Sequence, residues 1–259
     1  MTSDVTSAVA PVVQRRYPVV ELFGPTIQGE GPEVGRPCLF VRFGGCDYRC
    51  TWCDSLHAVD PAIVHREARR LSDDDIVSEL LERAPAATGQ LVILSGGNPA
   101  MHTLDTLVQR LHDIDMQVSI ETQGSLWKPW LGAVDNLIVS PKPPSSGMDT
   151  DKNRERTAHF MSAVVTLARP PRTTLKVVCF DEEDVEFAFS FRDRHRTGHG
   201  APYPLYLSSG TDADPSVSIE TITQQFRWLC EHVADDPRAQ DCTILPQLHV
   251  IAWGQEKGR

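Results

Sequence analysis

The chain has 259 residues, of which 41% are hydrophobic, 23% charged and 7% aromatic. This ordinary globular composition excludes an intrinsically disordered chain, collagen and a long coiled coil. The 35 acidic residues outnumber the 25 lysines and arginines, giving a formal charge of −10, which disfavours a nucleic-acid partner because phosphate binding needs a basic face.

The sequence shows no sign of export or membrane insertion. It has no run of about 18 apolar residues, and its N-terminal segment lacks a basic region followed by a long apolar stretch. Seven cysteines, an odd number with three of them clustered, argue against a disulfide framework. We therefore expect a cytoplasmic protein with a flexible tail over residues 1–16 and one domain over residues 17–259. Arginine clusters at 66–70 and 192–196 are expected to be solvated surface.

Short β-rich runs alternate with amphipathic segments along the chain. Predicted strands cover 19–24, 38–44, 91–95, 117–122, 136–140, 174–180 and 203–208. The first predicted helix begins at residue 72. Further helices are predicted over 99–112, 151–168, 181–195 and 218–233, and a last apolar segment covers 242–253. Ser72 and Asp75 have the spacing of a capping box at the start of the first helix.

Apolar strands that alternate with helices indicate parallel βαβ units. Six or more such units build a full or partial barrel or a doubly wound sheet, in which functional groups gather at the C-terminal strand ends. Polar or glycine-rich segments fall at four such ends: Gly44-Gly45, Ser95-Gly96-Gly97, Glu121-Thr122 and Ser140-Pro141-Lys142. They predict a functional site at this edge of the sheet.

Cys46, Cys50 and Cys53 have the spacing C-x3-C-x2-C in a loop that follows a predicted strand. Because thiolates bind soft metals, the spacing fits an iron–sulfur cluster with one open iron, or a closed zinc site with His57 as fourth ligand. Unliganded thiols remain a third reading. The other cysteines lie in apolar runs and are expected in the core: Cys38, Cys179, Cys230 and Cys242.

The cysteine loop resembles that of the radical S-adenosylmethionine (SAM) superfamily, in which an aromatic residue, here Trp52, precedes the third cysteine. The superfamily's Gly-Gly-Glu-Pro strand end stands here as Gly96-Gly97-Asn98-Pro99. Further segments resemble the 7-carboxy-7-deazaguanine synthase family within that superfamily, over about residues 18 to 254. They are Phe23 to Gly31 (FGPTIQGEG), Phe40 to Cys46 (FVRFGGC), Cys53-Asp54-Ser55, Ser140 to Pro144 (SPKPP) and Leu245 to His249 (LPQLH).

The resemblance implies a homodimer of partial (β/α) barrels that converts 6-carboxy-5,6,7,8-tetrahydropterin into 7-carboxy-7-deazaguanine and ammonia. It implies a 4Fe–4S cluster, SAM, Mg²⁺ and a flavodoxin-like electron donor. A 5′-deoxyadenosyl radical would take hydrogen from C6 of the pterin and return it after ring contraction. The product would enter 7-deazapurine synthesis, toward queuosine or a nucleoside antibiotic.

The same resemblance assigns roles to individual residues. Cys46, Cys50 and Cys53 would ligate the cluster, and Ser55 would bind Mg²⁺. SAM would be held by Trp52, Cys53, Asp54, Gly97, Glu121, Ser140, Pro141 and Lys142. The pterin would be held by Ile27, Gln28, Gly29, Arg42, Ser95, Gln247 and His249.

Physical chemistry supports two of these roles. An amide beside backbone groups offers the donors and acceptors that a guanine-like edge needs, which suits Gln28. A guanidinium grips a carboxylate bidentately, which suits Arg42. Two alternatives stay open: a glycyl-radical activase of the same superfamily, which gives no account of Gln28-Gly29-Glu30, and a zinc-stabilised binding module using His57.

Overall fold

The computed structural model describes residues 14–85, 89–211, 217–254, 256 and 258. Its strands are β1 (Arg16–Ile27), β2 (Pro37–Phe43), β3 (Arg69–Ser72), β4 (Leu91–Gly96), β5 (Gln117–Thr122), β6 (Asn136–Val139), β7 (Arg172–Cys179), β8 (Leu205–Ser209) and β9 (Cys242–Leu245). Its helices are α1 (Leu56–Val59), α2 (Pro61–Glu67), α3 (Asp73–Arg83), α4 (Asp105–Asp113), α5 (Asp151–Val165), α6 (Glu182–Arg194), α7 (Ile219–Val233) and α8 (Leu248–Trp253). The expected tail falls mainly on residues 1–13, outside the described residues, and β1 begins at Arg16.

The strands form one sheet in the order β3-β1-β2-β4-β5-β6-β7-β8-β9. From β2 through β4 to β9 every neighbouring pair is parallel, as the alternation of strands and helices predicts. Over the described residues the edge strands β3 and β9 do not pair with each other. The fold is therefore a partial (β/α) barrel, as the resemblance implies.

The expectation of parallel units is wrong for the first strand. β1 pairs antiparallel with both β2 and β3. Only the short connection 28–36 separates β1 from β2, which is too little chain for a parallel crossover, so the pair forms a hairpin.

The helix predicted over 99–112 is interrupted in the structure. A short 3-10 turn covers Pro99–Met101, and α4 begins only at Asp105. Between them, the carbonyls of His102 and Thr103 accept hydrogen bonds from the side chains of Trp130 and Tyr17, at 3.1 Å each. These tertiary contacts satisfy the backbone in place of helical bonds. The capping box of Ser72 and Asp75 is confirmed.

Two expectations about burial need correction. Cys38 and Cys179 are fully buried, but Cys230 on α7 and Cys242 on the edge strand β9 are only partly buried, because these elements present one side to solvent. Arg192 is not solvated surface: it is buried, ion-paired with Asp241 and bonded to the carbonyl of Arg238. No helix in the described part of the chain is long and apolar enough to cross a membrane.

Candidate active site

A cavity of about 240 Å³ opens at the C-terminal ends of the parallel strands. Ten of the residues that line it come from the predicted cofactor and metal set: Cys46, Cys50, Trp52, Cys53, Asp54, Ser55, Gly97, Glu121, Ser140 and Lys142. Ser95 of the predicted substrate set also lines it. The predicted substrate set Ile27, Gln28, Gly29, Arg42, Gln247 and His249 lines the same cavity. Pro141 is buried and does not line it. The structure thus brings together nearly every residue that the sequence singled out, from segments far apart in the chain.

The three loop cysteines lie partly buried in this cavity. Burial raises the pKa of the thiols of Cys46 and Cys50, and burial with the charge of Asp54 raises the pKa of Cys53 to about 11. The free thiols are therefore protonated at neutral pH, and a bound metal would have to hold them as thiolates. The backbone N–H of Tyr48 already points at the Cys46 sulfur, 3.4 Å away.

His57 does not join the cysteines. Its Nε2 lies 3.1 Å from an oxygen of Glu21, with which it forms a half-buried pair. Among the described residues, no three histidine, cysteine or carboxylate side chains converge on one ion position. The expectation that His57 is the fourth ligand of a zinc site is therefore wrong, because its ring contacts Glu21 and not the cysteines.

Glycine is required where β4 meets the cysteine loop. A Cβ at Gly97 would lie 2.2 Å from the carbonyl oxygen of Gly45, and one at Gly96, where φ is +138°, would lie 2.0 Å from that of Phe43. The backbone N–H groups of Gly97 and Asn98 donate to those two loop carbonyls, at 3.0 Å to Phe43 and 2.7 Å to Gly45. The glycines let two backbones touch, which fixes the cysteine loop against the sheet.

Asn98, which replaces the glutamate usual in the superfamily, is fully buried and does not line the cavity. Its oxygen accepts from the backbone N–H of Ala100 and the hydroxyl of Thr122, and its nitrogen donates to Asp47 at 2.9 Å. The side chain therefore anchors the cysteine loop instead of facing a ligand.

Arg42 is held between two elements. Its Nε donates to Glu21 at 2.7 Å and its guanidinium nitrogen donates to the hydroxyl of Ser55 at 3.0 Å. Burial raises the pKa of Glu21, but His57 and Arg42 outweigh it and lower the pKa below its usual value. Sequence reasoning missed Glu21, although its position opposite Arg42 in the β1–β2 pair is a cross-strand charge signal.

A buried network of ion pairs and hydrogen bonds lines another part of the cavity. The Lys176 ammonium on β7 lies 2.8 Å from Glu30 and 3.6 Å from Glu121. Glu30 also accepts from the Gln247 amide at 3.1 Å, and Glu121 accepts from the Gln28 amide at 3.0 Å. Sequence reasoning missed Glu30 and Lys176 as site residues, because nothing local marks a pair 146 positions apart.

The C-terminal segment packs against the loop after β1. The Leu248 N–H donates to the Gly29 carbonyl at 3.0 Å, and a Cβ at Gly29 would lie 2.2 Å from the ring of His249. This contact brings Gln247 and His249 into the cavity.

Trp52 and Lys142 form the remaining side of the cavity. The indole N–H of Trp52 donates to Ser145 at 2.9 Å, and its ring packs against Phe180, with centroids 5.2 Å apart. The Lys142 ammonium lies 5.7 Å from the centroid of the Trp52 ring and donates to Ser140 at 3.0 Å. A flat aromatic surface beside a cation suits an anionic ligand with a heterocycle.

Three buried polar atoms in the cavity lack a partner within the described protein: the hydroxyls of Ser95 and Thr211 and the amide oxygen of Gln247. Buried polar groups are normally hydrogen-bonded, so these atoms fit a polar ligand. Thr211, which follows β8, was not identified from the sequence.

Comparison with known proteins agrees with this geometry. A profile of the Radical SAM superfamily matches residues 40–140, which span the cysteine loop and the first parallel strands. The chain is 36% identical over 248 residues to the 7-carboxy-7-deazaguanine synthase of Bacillus cereus, covering 94% of this chain and 99% of that protein. It is 37% identical over 246 residues to the enzyme of the same name from Bacillus subtilis, covering 93% and 98%.

The chain belongs to the 7-carboxy-7-deazaguanine synthase family. Solved structures support the fold of this family member: QueE from Escherichia coli superposes with a TM-score of 0.61 at 21% identity, covering 90% of this chain and 95% of that one. SuiB from Streptococcus suis bound to its precursor peptide superposes with a TM-score of 0.53 at 12% identity, covering 80% and 48%. The chain is thus a radical SAM enzyme of the deazapurine-forming family.

Proposed function

We propose that this chain converts 6-carboxy-5,6,7,8-tetrahydropterin into 7-carboxy-7-deazaguanine and ammonia, in 7-deazapurine biosynthesis. The observation that carries the proposal is that the cysteine loop and Arg42 meet in one cavity of a family member. The same cavity holds the Ser95 hydroxyl and the Gln247 amide oxygen, which lack a partner among the described residues. The part of the cavity lined by the cysteines would hold the cofactors, and the part lined by Arg42 and Gln28 would hold the substrate.

The radical SAM superfamily implies a 4Fe–4S cluster and SAM. Three thiols facing one cavity fit a cluster with one open iron, so we assign Cys46, Cys50 and Cys53 as its ligands. When bound, the cluster and SAM supply reductive cleavage and the hydrogen-abstracting radical. The protein itself would position the cluster, SAM and the pterin relative to one another and exclude water.

We assign the SAM-holding role to Trp52, Asp54, Glu121, Ser140 and Lys142, which line the cavity next to the cysteines, with Cys53, Gly97 and Pro141 shaping the loops. The Trp52 ring is fixed by Ser145 and Phe180, so it offers a rigid surface for an adenine. The Lys142 ammonium suits the carboxylate of the methionyl end.

The substrate side has complementary chemistry. Arg42 presents its remaining guanidinium N–H groups to a carboxylate, while Ser95, Gln247, His249, Ile27, Gln28 and Gly29 surround the heterocycle. The amide oxygen of Gln247, which has no partner among the described residues, would accept a hydrogen bond from an N–H of the pterin edge.

Mg²⁺ is part of the same proposal, with Ser55 as its protein ligand. The Ser55 hydroxyl donates to Asp54 at 2.9 Å and accepts from Arg42, which leaves one oxygen lone pair free in the cavity. One hydroxyl oxygen beside a carboxylate suits Mg²⁺, which keeps several water ligands. A homodimer, a flavodoxin-like donor and a cytoplasmic location complete the proposal.

The test is anaerobic incubation of reconstituted protein with 6-carboxytetrahydropterin deuterated at C6, SAM, Mg²⁺ and dithionite. We expect product of the mass of 7-carboxy-7-deazaguanine, many turnovers per SAM, and deuterium in the recovered SAM. Release of one 5′-deoxyadenosine per product, or no deazapurine at all, would contradict the proposal and favour an activase-like chemistry.

A further inference from the structure

One aspartate ties the cysteine loop to two strand ends. A single oxygen of Asp47, the residue after Cys46, accepts hydrogen bonds from Asn98 at 2.9 Å, Gln123 at 2.7 Å and Ser125 at 3.1 Å. The other oxygen forms an ion pair with Arg156 on α5, 2.9 Å away. Asn98, Gln123 and Ser125 are all buried, so these contacts are shielded from water.

Asp47 determines which way the Gln123 amide faces. An ionised carboxylate only accepts hydrogen bonds, so the atom that faces it must be the amide nitrogen and not the amide oxygen. The same nitrogen lies 3.6 Å from the Cys46 sulfur. Its two hydrogens therefore divide between Asp47 and that sulfur, and rotation of the amide would break both bonds.

Hydrogen bonds to the sulfurs of an iron–sulfur cluster stabilise its more negative, reduced form and raise its reduction potential. Tyr48 supplies one such bond from the backbone, and Gln123 is the side chain placed to supply a second. Asn98 contributes to this arrangement because it donates a hydrogen bond to Asp47, which orients the amide of Gln123.

We propose that Gln123 is a positioning residue that raises the reduction potential of the cluster by donating a hydrogen bond to the Cys46 thiolate, with Asp47 holding its amide in place. The proposal rests on the assignment of the cluster to Cys46, Cys50 and Cys53.

The experiment compares reconstituted wild type, Gln123→Met and Ser125→Ala by potentiometric titration monitored by electron paramagnetic resonance, without SAM. Methionine keeps the side-chain length but removes both donors. We expect the reduction equilibrium constant to fall roughly tenfold, about 59 mV for one electron, with unchanged iron content. Ser125→Ala removes one of the three donors to the same Asp47 oxygen and none to the sulfur, so its potential should shift much less than that of Gln123→Met.

A second measurement needs no variant. In reduced wild type labelled with amide-¹⁵N glutamine, we expect a ¹⁵N hyperfine coupling between the cluster and the Gln123 nitrogen. Equal potentials in wild type and Gln123→Met, an equal shift in Ser125→Ala, or an absent ¹⁵N coupling would each overturn the proposal. Wild type that binds no iron after reconstitution would instead refute the cluster assignment, so the two failures are distinguishable.

Discussion

At the scale of single residues, Arg42 stands out because two neighbouring groups fix its guanidinium at the cavity. Glu21 and Ser55 occupy two of its N–H directions and hold the side chain facing the cavity. A positioned guanidinium of this kind loses little entropy when it binds a carboxylate, so its contribution to binding should be large.

Replacing Arg42 by alanine should lower kcat/KM for the pterin, because a charge-assisted contact is lost. The corresponding loss of transition-state stabilisation should be about 2–4 kcal/mol. Arg42→Lys should recover only part, because an ammonium lacks the planar fork. Steady-state kinetics measure both, with substrate-free cleavage of SAM as the reference activity that should survive. Arg36, which bonds Gln117 and does not line the cavity, offers the matched control Arg36→Ala. Equal losses in the two alanine variants would contradict a substrate role for Arg42.

Ser55→Ala should weaken the response of product formation to Mg²⁺, because it deletes the hydroxyl that lies beside Asp54 in the cavity. Ser55→Thr keeps that hydroxyl and should retain the response. The measurement is a Mg²⁺ titration of turnover with iron content determined in parallel. An unchanged Mg²⁺ dependence in Ser55→Ala would mean that the metal has no ligand at this position.

At the scale of elements, the cavity depends on how the segment containing β9 and α8 packs against the loop after β1. The contact combines a backbone hydrogen bond from Leu248 to Gly29 with the ring of His249, which occupies the space where a Cβ of Gly29 would lie. Space, and not a special backbone conformation, requires glycine at this position.

Gly29→Ala should displace His249 and loosen α8, because the new methyl group would lie 2.2 Å from the ring nitrogen Nδ1. Overpacking of this kind costs about 1–3 kcal/mol, so kcat/KM for the pterin should fall while the cluster is retained. Hydrogen exchange over 245–253 should speed up. Gly198→Ala, whose Cβ would meet only ordinary contacts at 3.6 Å, is the control and should leave both readouts unchanged. Unaltered exchange in Gly29→Ala would refute this packing argument.

At the scale of the whole molecule, the pair of Lys176 and Glu30 joins β7 to the loop after β1 across the interior of the partial barrel. Burial raises the pKa of Glu30, but the charges of Lys176 and His249 and the hydrogen bonds from Lys176 and Gln247 together outweigh it and lower the pKa to about 2. Burial lowers the pKa of Lys176, but the charges of Glu121 and Glu30 together raise it by more, so the pKa lies above its usual value. Each group is therefore charged across the neutral range.

Lys176→Met should destabilise the fold at pH 7 by about 3–5 kcal/mol, since Glu30 is left buried without its cation. A carboxyl with a lowered pKa contributes stability above its usual value of 4.5 and loses it as the pH falls toward about 2. The difference between wild type and variant should thus shrink as the pH falls through this range, which urea unfolding at several pH values measures. Lys152→Met, at an exposed position of α5, should change the free energy of unfolding by less than about 0.5 kcal/mol. A difference that is constant from pH 7 to pH 3 would contradict the role of the pair.

Local patterns in the sequence were sufficient for the cysteine loop, the Ser72–Asp75 capping box, the alternation of strands and helices, and the placing of polar motifs at strand ends. These features depend on spacing along a few residues, because hydrogen-bond geometry and side-chain period act over one turn or one strand.

Other features were decided only by the tertiary structure. They are the antiparallel β1, the break before α4, the contact of His57 with Glu21, and the buried pair of Lys176 and Glu30. The sequence determined which chemical groups the chain carries and near which strand ends they fall. Which of those groups touch was decided by strand register and barrel curvature, because partners far apart in the chain meet only when the whole sheet has formed.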